Sequence, residues 1–167
     1  VNGKLFSTTE LSSIYSFDSS MVLVNSIGLL SPQSTALDMS NGVVSWSNTI
    51  SWTTFPFICV STITPIISLI SNSTNQSYQL VIQNSKPLFY TLNLADGSIA
   101  GSIYTVALGA SNIVPGDLVL NDDNTIVYIL LRHDNGFHKF EYYPTTNTYS
   151  SALYSTTFKS YFLTTQD

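Results

Sequence analysis

The feature that most limits how this chain can fold is a strand-and-turn pattern that occurs three times. One unit runs from Met21-Val22-Leu23-Val24 through Thr35-Ala36-Leu37-Asp38-Met39-Ser40-Asn41-Gly42-Val43-Val44-Ser45-Trp46. A second runs from Ile67-Ser68-Leu69-Ile70 through Tyr90-Thr91-Leu92-Asn93-Leu94-Ala95-Asp96-Gly97-Ser98-Ile99. The third runs from Asp117-Leu118-Val119-Leu120 through Lys139-Phe140-Glu141-Tyr142-Tyr143-Pro144-Thr145-Thr146-Asn147-Thr148-Tyr149. Each reads as an apolar strand, a polar turn, an apolar strand, another turn, an alternating strand, a tight turn and a closing strand. β-Branched and aromatic residues suit a pleated, half-buried surface, and Asn, Asp, Gly and Ser suit the turns. The matching residues Leu37, Leu92 and Phe140 lie 55 and then 48 residues apart, a spacing within the range of repeat architectures.

The expected fold is therefore all-β: one domain over residues 1–167 with three four-stranded antiparallel units at roughly 20–55, 66–108 and 116–158. A β-sandwich is the alternative. One local signal points elsewhere. Ser7-Thr8-Thr9-Glu10 has capping-box spacing, and Leu11, Ile14 and Tyr15 follow at helical intervals, which predicts a short helix over 8–15.

The alternating strand ending in Asp96-Gly97 or Pro144-Thr145-Thr146-Asn147, followed by a Ser-, Val- or Tyr-bearing strand, resembles β-propeller blades of the quinoprotein-like and kelch-like kind. Asn121-Asp122-Asp123-Asn124-Thr125-Ile126-Val127-Tyr128 is similar to the turn between the first two strands of such blades. The resemblance covers about residues 20–155 and implies a propeller or partial propeller. It carries no catalytic or cofactor residues. Ser31-Pro32-Gln33-Ser34 departs from it, because a cleaner strand belongs there. Propellers close with about four to eight blades, so three units leave sheet edges open for pairing.

Composition narrows the function classes. Charged residues are only 9% of the chain, and Lys4, Lys86, Arg132, Lys139 and Lys159 are the only cations. Five scattered cations in a chain of net charge −5 cannot make the basic stripe that phosphate recognition needs, nor a patch for anionic lipid. Nucleic acid and membrane insertion are set aside as partners. Polarity comes instead from Ser and Thr, which exceed a quarter of the chain. The longest apolar run, Phe55 to Ile70, is interrupted by Pro56 and Pro65 and is too short to span a bilayer. Cys59 has no partner cysteine and reads as a buried, inert thiol. Val1 opens the chain without Met or a signal-like segment, which reads as processed or excised material.

Candidate sites are few. Asn72-Ser73-Thr74 and Asn75-Gln76-Ser77 are consecutive N-glycosylation sequons in a polar cluster, so Asn72 and Asn75 are the glycan-acceptor candidates and support an extracellular or cell-surface location. Asn135-Gly136 predicts a two-residue hairpin turn with His133 opposite His138 on a buried face, alongside Leu131 with Phe140 and Ile129 with Tyr142. The reverse face then carries Arg132 opposite Lys139, with Glu141 beside it. Two imidazoles alone do not complete a zinc or copper site, so no metal is expected there. Asp38, Asp96, Asp122, Asp123 and Asp134 sit at turns, which their short side chains satisfy. No carboxylate pair for glycoside hydrolysis, Gly-x-Ser-x-Gly elbow or phosphate loop occurs, and Asp117 with 121–124 lacks the calcium-loop ladder. No catalytic residue and no cofactor are assigned. Trp46, Trp52, Tyr142, Tyr143, Tyr149 and Tyr161 read as core and cross-strand packing, with sugar stacking the alternative.

The function expected from these features is a non-catalytic structural or assembly module of a cell-surface layer, appendage or matrix. It would self-associate, or join other surface proteins, through β-sheet edges. A lectin- or adhesin-type module with a glycan ligand is the alternative.

Overall fold

The computed structural model describes residues 12–16, 19–27, 32–49, 66–83, 86–101, 104–105, 108, 112–134 and 136–155. Among these there is no helix. Twelve strands form three antiparallel sheets in which chain neighbours pair. The first sheet holds β1 (Ser12–Ser16), β2 (Met21–Ile27), β3 (Pro32–Asp38) and β4 (Val44–Thr49). The second holds β5 (Ile67–Ser71), β6 (Gln76–Gln83), β7 (Lys86–Asn93) and the two-residue β8 (Tyr104–Thr105). The third holds β9 (Val114–Leu120), β10 (Val127–His133), β11 (Gly136–Tyr143) and β12 (Thr148–Ser155).

Two expectations are corrected at the start of the chain. Residues 12–15 are not helical: they belong to β1, which pairs with β2 from Ser12 opposite Ser26 to Ser16 opposite Val22. Residues 8–11 of that expected helix lie outside the described residues. A capping box is a weak local signal, and pairing with β2 overrides it: Tyr15 packs toward the core while Ile14 faces out, the period-two alternation of a strand. The first unit consequently begins at Ser12, and Met21 opens its second strand. Pro32 is tolerated because it stands first in β3.

The repeat also acquires a sharper register. Each third strand ends in the same turn, with a left-handed residue four positions after Asp38, Asn93 and Tyr143: Gly42 (φ 66°), Gly97 (φ 71°) and Asn147 (φ 51°). Leu37 and Leu92 therefore match Tyr142 rather than Phe140, two residues farther along the same face.

The middle sheet is covered on both faces. Leu23, Ala36 and Trp46 of the first sheet pack on Ile66, Val81, Leu88, Tyr90, Leu92 and Leu94. On its other side Tyr78, Leu80, Ile82 and Phe89 pack on Leu118, Val127, Ile129, Leu131, Phe140 and Tyr142 of the third sheet. Burial of each such aliphatic or aromatic side chain contributes about 1.5–3 kcal/mol. Backbones of neighbouring sheets come closest along the first strands, β1 against β5 and β5 and β6 against β9. Farther out, bulkier groups fill the gap. Tyr78 and Phe89 meet Tyr142 edge-on or tilted at 6.1 and 5.2 Å, and Tyr149 caps Phe89 at 6.1 Å.

Candidate assembly faces and the polar turn end

In each sheet the first and third turns lie at one end, because strands alternate in direction. They are tied together in the first two sheets: Met39 N donates to Ser20 O at 2.7 Å, and Leu94 N to Asn75 O at 3.0 Å. The third sheet cannot repeat this bond, because the matching residue is Pro144, which has no N–H. Asp38 and Asp96 organise their turns alike. Asp38 Oδ1 accepts from Ser40 Oγ (2.6 Å) and Ser40 N (2.8 Å), and Asp96 Oδ1 accepts from Ser98 N (2.9 Å) and Ser98 Oγ (2.7 Å). These bonds hold both carboxyls below the usual carboxylate range, chiefly through the Ser40 hydroxyl and the Ser98 amide respectively. In the third sheet Asn121 Oδ1 accepts from the amides of Thr125 and Ile126.

Asn72 and Asn75 are both exposed at this end, in the β5–β6 turn, with Asn75 in the left-handed region at φ 53°. Their hydroxyl partners differ: Thr74 is half-buried, whereas Ser77 is fully buried and accepts from Gln79 Nε2 at 2.5 Å. Cys59, Trp52, Asn135 and Tyr161 lie outside the described residues.

The histidine pair is rearranged. His133 pairs with Gly136 and His138 with Leu131, so the two histidines are not directly opposite. The same slip sets Phe140 opposite Ile129, Tyr142 opposite Val127, Arg132 opposite Phe137 and Lys139 opposite Leu130. A shift of two residues keeps every side chain on its expected face. Gly136, at φ 128°, opens β11 in a conformation open to glycine. The Asp134 carboxylate accepts from Asn112 Nδ2 at 3.0 Å to both oxygens, tying this turn to the segment before β9. His138 stacks on Phe140 at 4.5 Å, with the His133 ring 6.3 Å away. Burial, and then the His133 charge, lowers the His138 pKa. Among the described residues no three His, Cys, Asp or Glu side chains gather.

The third sheet's outer face holds the charge cluster. Lys139 Nζ lies 2.8 Å from Glu141 Oε1 and 4.7 Å from the Tyr128 ring centroid, and Tyr143 Oη donates to Glu141 Oε2 at 2.6 Å. The Lys139 contact, then the Tyr143 hydroxyl, lowers the Glu141 pKa. By repeat register Arg132, Lys139 and Glu141 occupy the positions of Ile82, Phe89 and Thr91, which in the middle sheet are buried against a neighbour. The first sheet's outer face is different. Val24 and Leu37, on its middle strands, are buried, while Ile14 and Val44, on its edge strands, are 68% and 48% exposed.

One structural feature escapes motif reading. A chain of buried polar groups crosses the first interface: Ser34 Oγ donates to Asn25 Oδ1 (2.7 Å), Asn25 Nδ2 to Ser68 Oγ (2.6 Å), Ser68 Oγ to Gln79 Oε1, and Gln79 Nε2 to Ser77 Oγ. Its only sequence signal is polar residues at inward strand positions. Fully satisfied, such a network holds two sheets in one register, because any slip would leave buried groups unpaired. Trp46 adds a second lock. Its indole Nε1 donates to Leu94 O at 2.7 Å, and Asn48 Nδ2 donates to Gly97 O at 2.5 Å. Trp46 and Tyr142 are thus core residues, and Tyr149 is half-buried beside Tyr142 at 4.9 Å.

No family model matches the chain, and no curated protein matches it.

Proposed function

We propose that this chain is a non-catalytic, extracellular structural or assembly module whose three sheets are successive blades of a propeller-type fan. The observation that carries this reading is the unequal covering of the sheets. The middle sheet is packed on both faces, and each outer sheet packs on it by one face. Closest approach along the first strands, with larger side chains farther out, is the taper that blades around an axis require. Exposed apolar residues on the first sheet give the fan a surface to bury in an assembly. Exposed Asn72 and Asn75 suit glycan attachment at the turn end, away from the sheet interfaces.

The lectin-type alternative draws on the Asn- and Asp-rich turns recurring at that same end. It is the weaker reading, because Trp46 and Tyr142 are buried rather than displayed for stacking. Light scattering across a wide concentration range, with electron microscopy of the most concentrated sample, tests the assembly reading. Association into a defined particle is the expected result, and a monomer at every concentration would count against it.

A further inference from the structure

We propose that in the folded protein Asn72, and not Asn75, is the acceptor of an N-linked oligosaccharide. This rests on the extracellular reading and assigns the modification to one of the two sequons. The donor class is an oligosaccharide carried on a lipid diphosphate. In the transfer, Asn72 Nδ2 bonds to the anomeric carbon of the first sugar and gives up one proton to a base of the transferase. The bond from that carbon to the diphosphate breaks, and its electron pair leaves on the diphosphate oxygen.

The two triplets lie in different kinds of structure. Asn72-Ser73-Thr74 falls wholly within the turn between β5, which ends at Ser71, and β6, which begins at Gln76. Asn75-Gln76-Ser77 runs from that turn into β6, which pairs with β5 on one side and β7 on the other. Gln76 stands between Ser71 and Asn93, and Ser77 between Ile70 and Leu92. A transferase must reach the asparagine together with the hydroxyl two residues on. Ser77 is fully buried, and its Oγ accepts from Gln79 Nε2 at 2.5 Å. Thr74 is half-buried, and its Oγ1 contacts are long: 3.3 Å to Tyr78 Oη and 3.5 Å to Ser71 O, against about 2.5–3.0 Å for a well-formed O–H···O bond.

Asn75 also has a separate reason to be asparagine. It is left-handed at φ 53°, its N–H donates to Asn72 O at 3.3 Å, and its carbonyl accepts the Leu94 N–H at 3.0 Å. Asn124 fills the same place in the third sheet, with φ 56° and its N–H donating to Asn121 O at 2.9 Å. Asn124-Thr125-Ile126 is not a sequon, so this turn position calls for asparagine whether or not a glycan follows. The selection needs no distant partner, because β5, β6 and β7 are consecutive in the chain. Hairpins close in about 1–10 μs, whereas synthesis adds about 5–20 residues per second. The ladder around Ser77 therefore forms soon after β7 is made.

Site mapping by mass spectrometry on the full chain, secreted from a glycosylating host, tests this. The wild type should gain the mass of one oligosaccharide, located at Asn72. Thr74→Ala should lose it. Asn75→Asp, whose new side chain also tolerates the left-handed turn, should keep it. Thr74→Ser gives both sequons the same serine hydroxyl, and whatever glycan it carries should be at Asn72. Asn72→Gln should be bare, with its far-ultraviolet spectrum unchanged. A glycan on Asn75 in Asn72→Gln, or equal filling of both positions in the wild type or in Thr74→Ser, overturns the assignment. A wild type bare at both positions overturns the extracellular glycan reading on which it rests.

Discussion

Replacing Gly97 by alanine probes how the first two sheets are locked. Gly97 lies under the Trp46 indole, and a Cβ there would sit 2.6 Å from Cδ2 and 2.8 Å from Cζ3 of the ring. Its φ of 71° adds the left-handed strain of an L-residue, about 1–2 kcal/mol. To admit the methyl group the indole must move, which breaks the Nε1 bond to Leu94 O and leaves a buried donor or acceptor unmet, about 1–3 kcal/mol. The expected loss is about 2–5 kcal/mol. Gly42 is the internal control: it occupies the matching turn position at φ 66° and is exposed. Gly42→Ala should cost only the strain, about 1–2 kcal/mol. In urea, where small proteins lose about 1–3 kcal/mol per molar denaturant, the two midpoints should separate by about 1 M. The double variant Trp46→Leu/Gly97→Ala should lose clearly less than the sum of its singles, because the clash disappears with the ring. Equal midpoints for Gly97→Ala and Gly42→Ala would refute the lock.

The buried polar chain predicts that Asn25→Ala costs about 1–3 kcal/mol, since Ser34 loses its acceptor and Ser68 a donor; chemical denaturation reads this directly. The lowered His138 pKa means the unfolded chain binds that proton more readily than the native state. Its contribution is whole above the ordinary value of 6.5 and is lost as pH falls from there through the folded value. Melting temperatures between pH 7 and pH 5 should therefore fall less for His138→Leu, whose new side chain matches Leu88 in the repeat. Secreted from a glycosylating host, the chain should gain mass that disappears in Asn72→Gln/Asn75→Gln, and an unshifted wild-type mass would remove the glycan proposal.

Much of the fold is local chemistry, and that part is readable from residues in order. Alternation along 127–133 and 136–143 placed Ile129, Leu131, Phe140 and Tyr142 on the buried face. Asp38 to Gly42 and Asp96-Gly97 marked turns because only certain residues accept a left-handed backbone or cap a turn amide with a carboxylate. Errors arose where two local solutions differ by little. Pairing His133 with Gly136 rather than with His138 keeps all faces, and in the structure the Asp134 carboxylate beside this turn also accepts from Asn112, 22 residues away. At β1 a short helix and a strand compete, and the partner that decides is β2.

By itself, then, the order of residues determined strand content, turn positions, which side of each strand is apolar, and the scarcity of cations. The tertiary structure decided how sheets meet. Asn25 and Ser68 are 43 residues apart, and Trp46 and Leu94 48, so neither contact leaves a periodic trace in sequence. Packing also turned one repeat into three unlike sheets: a middle one covered on both sides, one with exposed apolar edges, and one faced with charge. Whether an apolar face is core or contact surface depends on what lies opposite it, and that is a property of the folded molecule alone.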